Sequence, residues 1–149
     1  MVDGNQGDLD FRISLPRNLR KDGCLMSNKL ALQTAAFLGL MAVALGAFGA
    51  HALKATLAAN QTIAIWEKAV FYHFIHAVML FVLASQSRFL RGPWFAFLVG
   101  VIIFSGTLYA LALTSLRWLG AITPLGGLSL MIGWIWLIVA APSAFEDRR

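Results

Sequence analysis

Residues 93–114 read "PWFAFLVGVIIFSGTLYALALT", twenty-two residues without one Asp, Glu, Lys or Arg. A helix rises 1.5 Å per residue, so about 20 apolar residues cross the ~30 Å hydrocarbon layer of a bilayer. Three further stretches are also long and mostly apolar: Leu30–Leu53, Ile63–Ser85, with Glu67 and Lys68 near its start, and Leu119–Ala141. In lipid, each backbone N–H and C=O must be satisfied within the segment or in a closed barrel. Barrel strands alternate polar and apolar residues, and these stretches do not. The fold expected is therefore all-α, with four transmembrane helices. Their connections are short, which places sequential helices antiparallel, in an up-down-up-down bundle.

Composition leads to the same solvent. Hydrophobic residues make up 59% of the chain and charged residues only 13%, about half the share of a soluble domain. The net charge is +5, but no loop is long enough to build a nucleic-acid face. The basic residues set orientation instead. Arg12, Arg17, Arg20, Lys21, Lys29, Arg88, Arg91, Arg148 and Arg149 fall on one side, and Lys54, Lys68 and Arg117 on the other. Both termini are thus expected in the cytoplasm. Trp66 and Trp118 at the outer ends, with Trp94 and Trp136 at the inner ends, read as an aromatic belt.

Residues 1–25 are polar and aperiodic and are expected to be disordered. Met26 opens "MSNKLAL" like a fresh start, so the tail reads as an extension upstream of a single domain, 26–149. "AHA" at 50–52 resembles a signal cleavage site, but the apolar run before it is longer than a signal h-region. The one cysteine, Cys24, leaves no internal disulfide.

At 100° per residue, Ala35, Gly39, Ala42, Gly46 and Gly49 form one stripe of the first helix, opposite Phe37, Met41 and Phe48. Small residues let membrane helices approach closely, so the stripe reads as a packing seam. The second helix carries Tyr72, His73 and His76 on one broad face, while Glu67 and Lys68 sit at its outer end. Intramembrane polar residues usually face the bundle interior. Ser105 and Tyr109 share a face of the third helix. Thr123, Gly127 and Trp134 share a face of the fourth, with Gly126 and Gly133 beside it. Tyr109 and Thr123 lie at similar depth, so a hydrogen bond between them is expected. His51, ending the first helix, is expected to turn inward and close this outer layer.

No catalytic residue, cofactor or metal is expected. His73 and His76 are three apart on one helix and cannot both be axial to one haem iron. His51 is at the wrong depth to help, and the set is too thin for zinc. No nucleophile has a base with its orienting acid. The functions that remain are a non-enzymatic accessory or packing protein, and a small proton-linked or small-solute transporter using the polar face of the second helix. The partners expected are the lipid bilayer and a membrane protein or a second copy of the chain, with no nucleic acid.

"GAFGAH" (46–51), Tyr72 with His76, "FSGTLY" (104–109), "TPLGG" (123–127) and "GW" (133–134) together resemble the YgdD-like family. This is domain of unknown function 423, which includes the animal transmembrane protein 256 group. The likeness covers about residues 29–140, with the motifs in order. It implies a small four-helix protein of the bacterial inner membrane. It also implies recurring residues at His51, Tyr72, His76, Ser105, Gly106, Tyr109, Thr123, Pro124, Gly126 and Gly127, with Gly106 joining the packing set. Thr107 stands where serine is usual and His73 where glutamine is expected, so His73 is the weaker candidate for a shared role.

Overall fold

The computed structural model describes residues 17–86 and 89–146, with the side chains of 29–86 and 89–140. The described residues form five helices: α1 (Arg17–Ala50), α2 (Lys54–Ala59), α3 (Ile63–Ser85), α4 (Arg91–Thr114) and α5 (Leu119–Glu146). Four segments are long and apolar enough to cross a membrane: Lys29–Ala50, Ile63–Ser85, Arg91–Thr114 and Leu119–Ala140. These match the four expected spans to within a few residues.

Two elements differ from the sequence expectation. Helix α1 begins at Arg17, so residues 17–25 of the expected disordered tail are helical. Once a helix is nucleated, each added residue costs little. Residues 1–16 lie outside the described residues, as do Arg88, Arg148 and Arg149. The second difference is α2, a short helix where a plain link was expected. Its Leu57 is 1% exposed and packs with Trp66 and Ala112, with Leu53 and Tyr109 against them.

The spans pack in chain order: α1 against α3, α3 against α4, and α4 against α5. Among the described residues, the backbones of α1 and α5 do not approach each other. The helices therefore form a bent row rather than a closed ring, and α5 reaches α3 through side chains alone. Outward faces are apolar. Leu40 on α1 and Ile138 on α5 are 63% and 73% exposed, as suits lipid contact. Lipid tails are as apolar as leucine, so burial alone does not drive helices together, and close fit decides.

That fit is concentrated between α4 and α5. A Cβ on Gly126 would strike the backbone of Phe104. One on Gly133 would meet the Phe97 ring, one on Gly100 the Leu130 side chain, and one on Gly92 the Trp136 ring. Between α1 and α3, Gly49 lies under the Trp66 indole and Gly46 faces Val70. Two expected packing glycines are corrected. Gly39 and Gly106 have nothing within 4 Å of where a Cβ would stand. The α1 contact line runs through Ala35 and Ala42, which are 1% and 0% exposed. Gly39 is turned about 40° from Ala35 at 100° per residue. Gly106 is exposed on the outer side of α4.

The aromatic belt is half as expected. Trp118 and Trp136 are 61% and 50% exposed, but Trp66 and Trp94 are 3% and 4% exposed. The Trp66 indole N–H donates to the Leu45 carbonyl at 3.0 Å, which draws the ring into the α1–α3 contact.

Candidate functional site

Intramembrane polar groups are the natural place to look for chemistry. Helix α3 supplies His73 and His76, which are 6% and 5% exposed. They are three residues apart and so about 60° apart around the helix. That rotation sends them to different partners.

His73 Nδ1 pairs with the Tyr109 hydroxyl of α4 at 3.3 Å, and Tyr109 packs edge-on against Trp66 with ring centroids 4.7 Å apart. His76 Nδ1 lies 2.8 Å from the Tyr72 carbonyl one turn earlier. The Trp134 indole N–H of α5 donates to His76 Nε2 at 3.3 Å. A carbonyl only accepts and an indole N–H only donates. His76 is therefore held as the neutral tautomer with its proton on Nδ1. A second proton on Nε2 would set two donors face to face. Around this ring stand Phe97, at 5.6 Å between centroids, and Tyr72, stacked at 6.0 Å. Tyr72 itself is 37% exposed and contributes its carbonyl rather than its hydroxyl.

A third polar contact joins α4 to α5. The Thr107 and Thr123 hydroxyls are 2.9 Å apart, and Ser129 Oγ donates to the Ala96 carbonyl at 2.8 Å farther along the same seam. The expected Tyr109–Thr123 hydrogen bond is thus replaced on both sides: Tyr109 turns to His73 and Thr123 to Thr107. Ser105 is 1% exposed, and its Oγ has no hydrogen-bond partner. His73 Nε2 is likewise buried without one.

His51 is not part of this layer. It follows the end of α1 in the turn before α2, and its side chain is exposed. At this end Leu57 packs with Trp66 and Ala112, with Leu53 and Tyr109 against them, and His51 is not among them. The end of the bundle at the α2 link is closed instead by Asn60 and Thr62. Asn60 Nδ2 donates to the Ala112 and Leu113 carbonyls, at 3.2 Å each. Thr62 Oγ1 donates to the Ala112 carbonyl at 2.7 Å. The last carbonyls of a helix lack intrahelical donors, and these two side chains supply them to α4. The available signal was composition: Asn60 and Thr62 stand just before an apolar run, in a link that ends opposite the α4 terminus.

The expected cluster therefore divides into separate contacts: His73 with Tyr109, His76 with Trp134 and Tyr72, and Thr107 with Thr123. Trp134, Thr107, Asn60 and Thr62 are the participants not singled out beforehand for these roles. Among the described residues, no three of His, Cys, Asp and Glu converge as metal ligands.

Residues 45–127 match the family described as "Protein of unknown function (DUF423)", a stretch holding every residue of these contacts except Trp134 and Ser129. The chain is similar to the UPF0382 membrane protein YwdK of Bacillus subtilis (strain 168). The two are 44% identical over 109 residues, covering 68% of this chain and 87% of the relative. It is also similar to the UPF0382 membrane protein SH2409 of Staphylococcus haemolyticus (strain JCSC1435), at 42% identity over 116 residues, 75% of this chain and 94% of the relative. No solved structure matches it.

Proposed function

The chain belongs to the DUF423 family of membrane proteins, and we propose that it is a non-enzymatic member, an accessory or interaction module of the bacterial inner membrane. Both termini face the cytoplasm in this reading, as the distribution of Lys and Arg favours.

The observation that carries the proposal is the environment of His76. Both ring nitrogens are engaged by partners of fixed polarity, so the imidazole links α3 to α5 and has no free nitrogen for a proton or a substrate. The other polar contacts have the same character: each joins two helices or closes a helix end. A bundle whose polar groups are taken up in helix-to-helix register presents an outer surface for partners rather than an internal reaction centre.

The alternative is a small proton-linked or small-solute transporter working along the polar face of α3. One observation favours it: His73 Nε2 is buried at membrane depth without a partner. Reconstitution distinguishes the two. Proteoliposomes loaded with a pH-sensitive dye are expected to take up protons no faster than empty liposomes from pH 5 to pH 8. A pH-dependent flux that disappears in His73→Gln would establish the transporter reading and discard ours.

A further inference from the structure

Between α1 and α3 the structure has a groove of about 610 Å³. This is well within the range of ~300–1,000 Å³ for small-molecule sites. Gly46 and Gly49 line its α1 side, where Val70 and the Trp66 indole of α3 pack against them. Its α3 wall includes Phe71, Phe74 and Ile75. From Ile63 to Ile75 the groove follows α3 for twelve residue steps, about 18 Å at 1.5 Å per step. That is close to the depth of one leaflet, half of a ~30 Å hydrocarbon layer.

The mouth differs from the body. Lys54, at the start of α2, and Glu67, in the first turns of α3, line the groove at its loop end. The remaining lining residues carry no charge. Lys54 and Glu67 have no ion-pair partner among the described residues, in each other or elsewhere. Lys68 neighbours Glu67 in sequence but does not line the groove. The result is an apolar channel one leaflet deep, with one positive and one negative group where headgroups lie.

We propose that this groove seats an acyl chain of a zwitterionic glycerophospholipid, with the Lys54 ammonium on its phosphate and the Glu67 carboxylate on its ammonium. An anionic lipid satisfies Lys54 but leaves Glu67 facing negative charge. A zwitterionic headgroup complements both. The chain runs down between Gly46 and Phe74, covering apolar surface that neither helix covers. The proposal concerns the outer side of the α1–α3 pair and stands whether or not the chain carries a flux.

The test is native mass spectrometry of the full chain, released from nanodiscs holding equal amounts of phosphatidylethanolamine and phosphatidylglycerol. The expected result is one retained lipid per chain, enriched in phosphatidylethanolamine. Lys54→Gln is expected to lower retention of both lipids about fivefold, the upper size for one exposed charge pair. Glu67→Gln should keep a lipid bound but abolish the enrichment. Ala50→Phe, which fills the groove at an exposed position, should displace the lipid while leaving thermal stability unchanged. Lys68→Gln, outside the groove, should change neither quantity. Equal retention of the two lipids by the wild type overturns the proposal. So does undiminished retention in Ala50→Phe, or a Lys68→Gln loss as large as that of Lys54→Gln.

Discussion

Gly126 and Gly106 lie on helices that pack together, and the same substitution is expected to act on them with opposite signs. A Cβ at Gly126 would meet the backbone N and Cα of Phe104. Backbone atoms inside a helix cannot swing aside as a side chain can, so α4 and α5 must separate. Overpacking a fitted contact costs about 1–3 kcal/mol, and a backbone obstacle belongs in the upper part of that range. Replacing helical glycine by alanine returns about 1 kcal/mol of propensity. Gly126→Ala should therefore lose about 1–2 kcal/mol. At Gly106 the space is open, only the propensity term acts, and Gly106→Ala should gain up to about 1 kcal/mol. Gly39→Ala, also open, serves as a second control. Gly127→Ala tests the neighbouring position, where a Cβ would rest 3.6 Å from the Phe104 ring, an ordinary contact, and it should be neutral or stabilising. Thermal unfolding in mild detergent, followed by tryptophan fluorescence, reads these differences as shifts of about 2–4 °C per kcal/mol. A Gly126→Ala protein as stable as Gly106→Ala would mean that the α4–α5 backbones are not in contact, and the packing account would have to be given up.

Further outcomes are expected from the polar contacts. Trp134→Phe and His76→Leu should each destabilise, and a double-mutant cycle between them should give a coupling of at least about 0.6 kcal/mol, the average for hydrogen bonds between membrane helices; zero coupling would break the α3–α5 link. Asn60→Ala and Thr62→Val should each lower stability by about 1 kcal/mol, because the Ala112 carbonyl loses a donor, and equal unfolding midpoints for both variants and the wild type would contradict this. His51→Gln and His51→Leu should both unfold at the wild-type temperature, since the side chain is exposed; a loss confined to His51→Leu would restore the inward-turned His51 expected from the sequence. A reporter fused after Arg149 should be active on the cytoplasmic side and one inserted near Asn60 on the external side, and the reverse pattern would invert the orientation.

The spans were legible because apolar length is a one-dimensional property. No arrangement of neighbours changes whether residues 93–114 can cross a bilayer. The polar partnerships were less legible, for a geometric reason. Helix phase fixes the face a residue occupies, and rise fixes its depth, but neither fixes how one helix is rotated against the next. His73 and His76 share a broad face, yet one meets α4 and the other α5. Tyr109 and Thr123 share a depth, yet each turns to a different residue. The glycine seam shows the same limit. Gly126 and Gly133 were readable as packing residues from their face, whereas Gly92 and Gly100 were not singled out, and Gly39 and Gly106 have the right composition on a rotation that leaves them open. His51 was misplaced because α2 was not foreseen, and Leu57 of that short helix fills the outer layer.

These contacts divide the molecule unevenly. Hydrogen bonds between membrane helices average only about 0.6 kcal/mol, so the polar links select a register more than they hold helices together. Cohesion rests on backbone proximity, and the closest approach is on the α4–α5 side, where Gly92, Gly100, Gly126 and Gly133 all lie against the facing helix. Helix α1 is held differently. It packs on α3 along its alanine line, with the Trp66 indole over Gly49 and its N–H on the Leu45 carbonyl, and its backbone does not approach that of α5 among the described residues. The groove lies along this edge, lined by Gly46, Gly49 and Ala50 of α1, and an acyl chain there adds apolar contact to both helices. A lipid seated there would cover the flank of α1 and α3 that no helix covers, and the open edge of the row would be completed by the membrane itself.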